Sequence, residues 1–190
     1  PSNLALVGVY LFSSSIFLAV HNITASKRNE LEITDAIQWM VDHGYWVLAH
    51  VIDRWWKDTG KPEDMLDANR FVLQGIESYI EGTICSSSVL RGNISVEKGA
   101  TIINSIIEGP SIIGSNSLIQ NARIGAFTSI GANVRIEEAN IENSIVLEDS
   151  SICNYHGRIV DSLIGKGVSI SSASSDSQSF VLGDRSQIRL

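Results

Sequence analysis

Two cysteines, three prolines and two methionines are all that the 190 residues contain of these types. Cys85 and Cys153 form neither a disulfide framework nor a metal-ligand spacing. Each reads as a small buried apolar residue in a reducing, cytoplasmic setting. Charge is sparse too: Asp, Glu, Lys and Arg make up 18% of the chain, the net charge is −7, and no Lys/Arg cluster occurs anywhere. That lack of a basic patch argues against nucleic acid or an acidic membrane surface as partner, while local binding of a phosphate remains compatible with an acidic protein. A long apolar run is also missing. Residues 4–20 come nearest, but Gly8, Tyr10 and the serines 13–15 interrupt them, and a membrane span needs about 20 largely apolar residues. No basic region precedes this stretch, so a signal peptide is not expected. A strand over residues 4–11, a polar break and a short helix over 15–20 are. The chain opens Pro-Ser-Asn, without Met, directly before this strand-like run, an odd place for a natural start.

What is present falls into two grammars. From Leu90 onward an aliphatic residue returns every six, six, then five residues: Leu90, Val96, Ile102, Ile107, Ile113, Ile119, Ile124, Ile130, Ile136, Ile141 and Leu147, with Cys153 in the next slot. The pattern repeats every 17 residues, and eleven of its twelve slots are Leu, Ile or Val. An amphipathic helix returns at three and four residues and a half-buried strand at two, so neither describes it. Small or β-branched residues fall four positions after most slots (Ala100, Ser111, Ser117, Thr128, Val134, Ser151), and Gly follows directly at Gly114, Gly125, Gly131, Gly165 and Gly183. This is the hexapeptide pattern of a β-helix, whose coils each bury one hydrophobic column against the next. Three short strands make a triangular coil, with the aliphatic residue inside, the small one beside it, and glycine relieving the backbone at the turn. The register slips after Cys153 and continues through Ile159, Ile164 and Ile170. Residues 171–179 read as a polar loop, and Leu182 and Ile188 resume. The result is about five coils and a closing piece. A β-sandwich would instead show alternation and Asn-Gly hairpin turns, which the sequence does not contain.

Residues 1–75 read differently. Thr34 is placed to cap a helix over 35–43 ended by Gly44; residues 45–52 alternate as a strand does; Pro62, Glu63 and Asp64 suit the first turn of a second helix that runs to Gly75. Strands alternating with helices suggest an α/β sheet. About 75 residues cover such a sheet thinly, so this part reads as a fragment of a larger one. The boundaries expected are 1–75 for the α/β part and 76–190 for the β-helix.

The run Trp55-Trp56-Lys57-Asp58-Thr59-Gly60-Lys61-Pro62-Glu63-Asp64-Met65-Leu66-Asp67-Ala68-Asn69 resembles the W-x-D-T-G-x-P-E-x-L-x-A-N signature of glucose-1-phosphate thymidylyltransferases. Asn29-Glu30-Leu31-Glu32-Ile33-Thr34-Asp35-Ala36 is similar to their G-E-L-E-I-T-D segment, with Asn29 in place of Gly, and Gly8-Val9-Tyr10-Leu11-Phe12 to the strand after their sugar-binding loop. With its hexapeptide tail the chain resembles the C-terminal half of the long form of these enzymes. The resemblance implies the last portion of a Rossmann-like α/β nucleotidyltransferase domain followed by a left-handed parallel β-helix. It also implies transfer of a nucleotidyl group from a nucleoside triphosphate, dTTP by family habit, to a sugar 1-phosphate such as glucose 1-phosphate, with Mg²⁺ as cofactor.

By the same resemblance Asp58 is a catalytic Mg²⁺ ligand; read without it, Asp58 is a helix-entry turn residue. Leu6, Glu32, Asp35 and Trp56 are implied substrate-binding residues, although Asp35 equally suits the start of its own helix and Trp56 equally suits a core. His156 reads as part of a polar loop at the coil irregularity; relatives with such a tail that transfer acetyl groups to amino sugars would use it as general base. His21, His43 and His50 show no ligand pairing. The family's G-x-G-T-R-L-x-P triphosphate loop is nowhere in these residues, so the chain by itself is expected to be inactive. Two alternatives stand beside this reading: a hexapeptide acyltransferase, and a β-helix that serves only assembly as a trimer.

Overall fold

Among the described residues three helices precede every strand, and each follows from its apolar spacing. The computed structural model describes residues 4–53, 55–172, 177–178 and 180–189. Helix α1 (Ile16–Asn22) buries Ile16 and Ala19, and α2 (Ile33–Asp42) buries Ala36 and Met40, one turn apart. The four pack as one cluster with Val20, Ile23, Trp39 and Tyr45 against it. Helix α2 begins two residues earlier than expected, with Glu32 rather than Thr34 at its N-cap. Gly44, at φ 76°, closes it, and its end is a Schellman motif: the Gly44 amide donates to Val41 O at 3.1 Å and that of Tyr45 to Met40 O at 2.9 Å.

The strands expected over residues 4–11 and 45–52 do not form. Among the described residues no strand precedes Tyr79. Both segments are non-helical and largely exposed, with Val9, Leu11, Trp46 and Leu48 all more than 75% accessible. Alternation specifies a strand only where a neighbouring backbone accepts its hydrogen bonds.

Helix α3 (Pro62–Gln74) starts on Pro62 with Glu63 and Asp64 in its first turn and ends at Gly75, as expected. The chain divides into two units, one up to Trp56 and one from Lys57 onward, so α3 belongs with the residues that follow it.

Those residues form a parallel β-solenoid. One face stacks seven strands in the order Tyr79–Ile80, Ile94–Val96, Ser111–Ile113, Thr128–Ile130, Ile145–Val146, Leu163–Ile164 and Val181–Leu182. A second stacks Thr83–Ile84, Thr101–Ile103, Leu118–Gln120 and their successors, and a third begins with Val89–Arg91, Ile106–Glu108 and Arg123–Ile124. Two long strands, Arg135–Glu142 and Ser151–Val160, pass through the corner between the second and third faces. The solenoid starts a coil earlier than the periodicity suggests, because Ile80 and Ile84 pair in register with Val96 and Ile102.

The interior is the aliphatic column. Val96, Ile102, Ile107, Ile113, Ile119, Ile124, Ile136 and Ile141 are fully buried, each contributing roughly 1.5–3 kcal/mol relative to an exposed side chain. The register slips two slots sooner than expected, after Ile141 and not after Cys153. Val146 and Ile152 point inward, while Leu147 is 42% exposed and Cys153 half-buried. Ile130 pairs with Val146 and Ile136 with Ile152, steps of 16 residues, and Ile141 pairs with Ile159, a step of 18. The extra length is His156-Gly157, since Ala139 pairs with Tyr155 but Asn140 with Arg158. Cys85 is exposed, so neither cysteine is a buried apolar residue: both lie off the inward-facing slots. The polar loop expected over 171–179 instead opens inside the strand Ser169–Ser172 and contains the strand Ser177–Gln178, and residues 173–176 and 179 lie outside the described residues.

Buried hydroxyls at or beside the small slots bond from coil to coil, while Ala100 and Val134 fill theirs with apolar side chains, and Ser150 rather than Ser151 is buried after the slip. Ser117 Oγ donates to Gly131 O at 2.8 Å and accepts from the Val134 amide at 2.9 Å, and Ser150 does the same with Gly165 O and the Val168 amide at 2.8 and 3.1 Å. The left-handed corners are made chiefly by asparagine: Asn104, Asn116, Asn121, Asn133, Asn143 and Asn154 all have φ between 46° and 57°, which Asn tolerates better than other side chains. The glycines after Ile113, Ile130 and Ile164 serve a different need from the one expected. Their φ is not left-handed; a Cβ on any of them would lie within 2.4–2.7 Å of the backbone of the next coil.

Candidate functional site

The loop entering α3 is held by charge. Lys57 Nζ lies 2.9 Å from Asp64 Oδ1 and 3.1 Å from Asp67 Oδ2, and Asp64 Oδ2 also accepts from the Lys61 amide at 3.2 Å. These bonds raise the Lys57 ammonium above its ordinary pKa, the Asp64 contact contributing most. They lower the Asp64 carboxyl below its own, through the hydrogen bond from Lys57 first of all. Asp58 follows directly and is exposed, its carboxylate turned toward Gly60, where a Cβ would lie 3.6 Å from Oδ1. Among the described residues no three His, Cys, Asp or Glu side chains converge on a metal position. Mg²⁺ takes one or two carboxylates and completes its shell with water and substrate oxygens, so a single accessible Asp58 carboxylate fits the role of one ligand.

Helix α3 is fastened to the solenoid. Asn69 Nδ2 donates to Phe127 O at 2.9 Å, and Asn69 Oδ1 accepts from Ser129 Oγ at 2.6 Å. Arg70 Nε donates to Asn143 Oδ1 at 2.7 Å, and its Nη2 lies 3.6 Å from Asp161 Oδ1. Leu66 and Leu73, one face of the helix, are buried. None of these attachments was anticipated except as helix periodicity. The signal that could have found them is the charge series Asp64, Asp67, Arg70 at three-residue spacing, which puts all three on one helix face.

In the first unit Glu32 is engaged locally. Arg28 Nη2 reaches both of its oxygens, at 2.7 and 2.8 Å, and Ser26 Oγ donates to Oε1 at 2.9 Å. The Arg28 hydrogen bond is the main cause of its lowered pKa. Asp35 is exposed in the first turn of α2 and borders a groove of about 330 Å³ with Asn22, Thr24, Gln38 and Asp42. Leu6 is 58% and Trp56 46% exposed, so neither is a core residue. His156 is exposed on the two-residue bulge. It borders a groove of about 500 Å³ along one solenoid corner, with Asn104, Asn121, Arg123, Glu138 and Asn140 among the lining. Across that corner Asn104 Nδ2 donates to Asn121 Oδ1 at 2.8 Å, and Arg123 pairs with Glu108 at 2.7 Å. No helix among the described residues is long and apolar enough to cross a membrane.

Residues 1–75 match the model of the nucleotidyl transferase family. Over its whole length the chain is 49% identical to the low-salt glycan biosynthesis nucleotidyltransferase Agl11 of Haloferax volcanii, covering 54% of that protein. It is 45% identical, again over its whole length, to the glucose-1-phosphate thymidylyltransferases of Streptomyces griseus and Streptomyces antibioticus, covering 54% and 53% of them. The chain thus spans about half the length of these relatives.

Proposed function

We propose that the complete protein joins a nucleoside triphosphate, dTTP, to glucose 1-phosphate, giving a nucleotide sugar and pyrophosphate in a cytoplasmic setting. The observation that carries the reading is the 45% identity of the entire chain to a glucose-1-phosphate thymidylyltransferase. In the reaction an oxygen of the sugar phosphate forms a bond to the α-phosphorus while the bond from that phosphorus to the pyrophosphate oxygen breaks. Positioning and charge neutralisation do the work. A bound Mg²⁺ supplies neutralisation of the phosphate charge, and Asp58 is the residue of this chain assigned to hold it. Leu6, Glu32, Asp35 and Trp56 are assigned to the sugar and nucleotide sides, Glu32 with its orientation fixed by Arg28. The test is pyrophosphate release by the complete protein with Mg²⁺, glucose 1-phosphate and each nucleoside triphosphate in turn. Release greatest with dTTP is expected, and Asp58→Asn lowers turnover at least ~100-fold. Silence with every pair overturns the reading, and near-normal turnover of the variant overturns the ligand assignment.

One observation favours a second activity beside it. His156 stands on a bulge at the edge of a groove rich in amide and charged groups, where a general base for acetyl transfer to an amino-sugar phosphate would be placed. CoA release that is lost in His156→Ala supports this reading; no acetyl transfer by the complete protein removes it. Val89 and Ile106, paired neighbours on one outer face, are exposed apolar residues, which favours a trimer packed through the prism faces; a monomeric mass by light scattering counts against it.

A further inference from the structure

The solenoid is attached to the loop that carries Asp58 by a continuous polar chain. At its solenoid end Asn143, whose Nδ2 bonds to Asp161, receives Arg70 at 2.7 Å, and Asp161 lies 3.6 Å from the same guanidinium. Arg70 Nη1 lies 3.4 Å from Asp67 Oδ1, Asp67 Oδ2 is 3.1 Å from Lys57 Nζ, and Lys57 is the residue before Asp58. The charges alternate along the chain: Asp161, Arg70, Asp67, Lys57. Beside it Asn69 spends both ends of its amide on the next coil corner, one on the carbonyl of Phe127 and one on the hydroxyl of Ser129. Phe127 is a left-handed corner residue at φ 59°, and its own amide is tied to Pro110 O at 2.7 Å. The acceptor is therefore part of the stacked framework and not of a loose turn.

We propose that the β-solenoid positions the Asp58 loop, with Asn69, Arg70 and Lys57 as positioning residues, so that the hexapeptide domain is part of the framework of the metal site and not only an assembly tail. The inference rests on Asp58 as metal ligand. Two consequences of the geometry act together. The helix is fixed at its middle by Asn69 and Arg70, where a rotation about its axis would break both contacts. The Lys57 ammonium is drawn to Asp64 and Asp67, which keeps this adjacent cation from neutralising the Asp58 carboxylate and leaves that carboxylate open to a metal.

The test compares Asn69→Ala, Lys57→Met, Lys57→Arg and Asp58→Asn in the complete protein. It reads hydrogen exchange of the peptide spanning residues 55–66, Mn²⁺ binding followed by electron paramagnetic resonance, and the Mg²⁺ concentration giving half-maximal pyrophosphate release. Asn69→Ala and Lys57→Met are expected to speed exchange in that peptide and weaken both metal constants about tenfold, the lower end of what losing support for a metal ligand costs. Solenoid peptides beyond residue 130 exchange as in the parent, and Lys57→Arg restores the metal constants. Exchange and metal constants within twofold of the parent in both variants overturn the proposal. Asp58→Asn that binds Mn²⁺ like the parent overturns the ligand assignment and this inference with it, whereas weakened binding there with unchanged Asn69→Ala overturns the positioning alone. If Asn69→Ala does not fold, Ser129→Ala, which removes one of the two bonds from the solenoid side, carries the same comparison.

Discussion

Gly114 and Gly183 stand in the same sequence context, each directly after an inward-facing aliphatic residue, yet alanine should be costly at the first and harmless at the second. A Cβ on Gly114 would meet Gly131 C at 2.4 Å, Gly131 O at 2.5 Å and Ala132 N at 2.7 Å, all backbone atoms of the next coil. Ordinary contact begins near 3.4 Å, so the two coils would have to separate by about 1 Å against hydrogen bonds such as that from the Gly114 amide to Ile130 O at 2.8 Å. No flexible side chain is available to move instead. Overpacking costs typically about 1–3 kcal/mol, and a wholly backbone clash belongs at the upper end, about 3 kcal/mol. For a chain of this length each kcal/mol lowers Tm by roughly 2–4 °C, so Gly114→Ala is expected to melt about 6–12 °C below the parent. Gly183 has nothing within 4 Å of its added Cβ and no left-handed φ. Gly183→Ala is expected to match the parent or gain slightly, because alanine restricts the unfolded chain more than glycine does. Thermal melts by circular dichroism decide the matter. A Gly114→Ala protein within 2 °C of the parent, or a Gly183→Ala protein as damaged as Gly114→Ala, would refute the coil-contact explanation of these glycines.

The Lys57–Asp64 pair sets a pH window. The depressed Asp64 carboxyl stabilises the folded loop above its unfolded value, about 3.9, and loses that contribution as pH falls through the lower folded value; the raised Lys57 contributes below about 10.4 and loses it as pH rises through the higher folded one. Hydrogen exchange of residues 55–66, corrected for intrinsic rate, should therefore stay level from pH 5 to 9, and loosening at pH 5–6 would contradict the pairing. Iodoacetamide should label Cys85 before Cys153, because Cys85 is exposed and its thiol is lowered chiefly by the hydrogen bond with Ser87, while Cys153 is half-buried beside Ser151 Oγ at 3.3 Å. Faster loss of Cys153, followed by peptide mass spectrometry, would show that access to the solenoid surface differs from this description.

The solenoid was legible because its grammar is local and repeated. An inward slot every five or six residues leaves a statistical trace that no single substitution erases, so the column from Leu90 to Ile141 could be read directly. The slip at Val146 was not legible: Ile145, Val146 and Leu147 are three consecutive aliphatic residues, and any of them satisfies hydrophobicity. What selects Val146 is the coil already formed beneath it, through the pairing of Ile130 with Val146. Likewise the asparagine corners lay in plain view, but the choice between glycine as a φ-permissive residue and glycine as a missing Cβ depends on a neighbour 17 residues away, as Gly131 is to Gly114.

The site was legible as a motif and not as a geometry, and the reason is the same. Asp58 was found through the D-T-G run, but the motif's last residue, Asn69, carried no stated purpose until its amide met Phe127 and Ser129, some sixty residues further along the chain. Such partners are fixed by three-dimensional stacking, which a helix-period reading cannot supply. The failed strands make the converse case. Residues 45–52 alternate as well as many true strands do, and still remain non-helical, exposed and without ladder bonds among the described residues. The three-residue strands of the solenoid, by contrast, form from as little as Ser111–Ile113 because a parallel neighbour lies on each side. Pattern proposes a strand; an adjacent backbone with free donors and acceptors makes one. Where the partner repeats in the same stretch of sequence, as in the coils, reading the sequence reaches the fold. Where the partner must come from elsewhere, the same alternation yields only a segment able to pair.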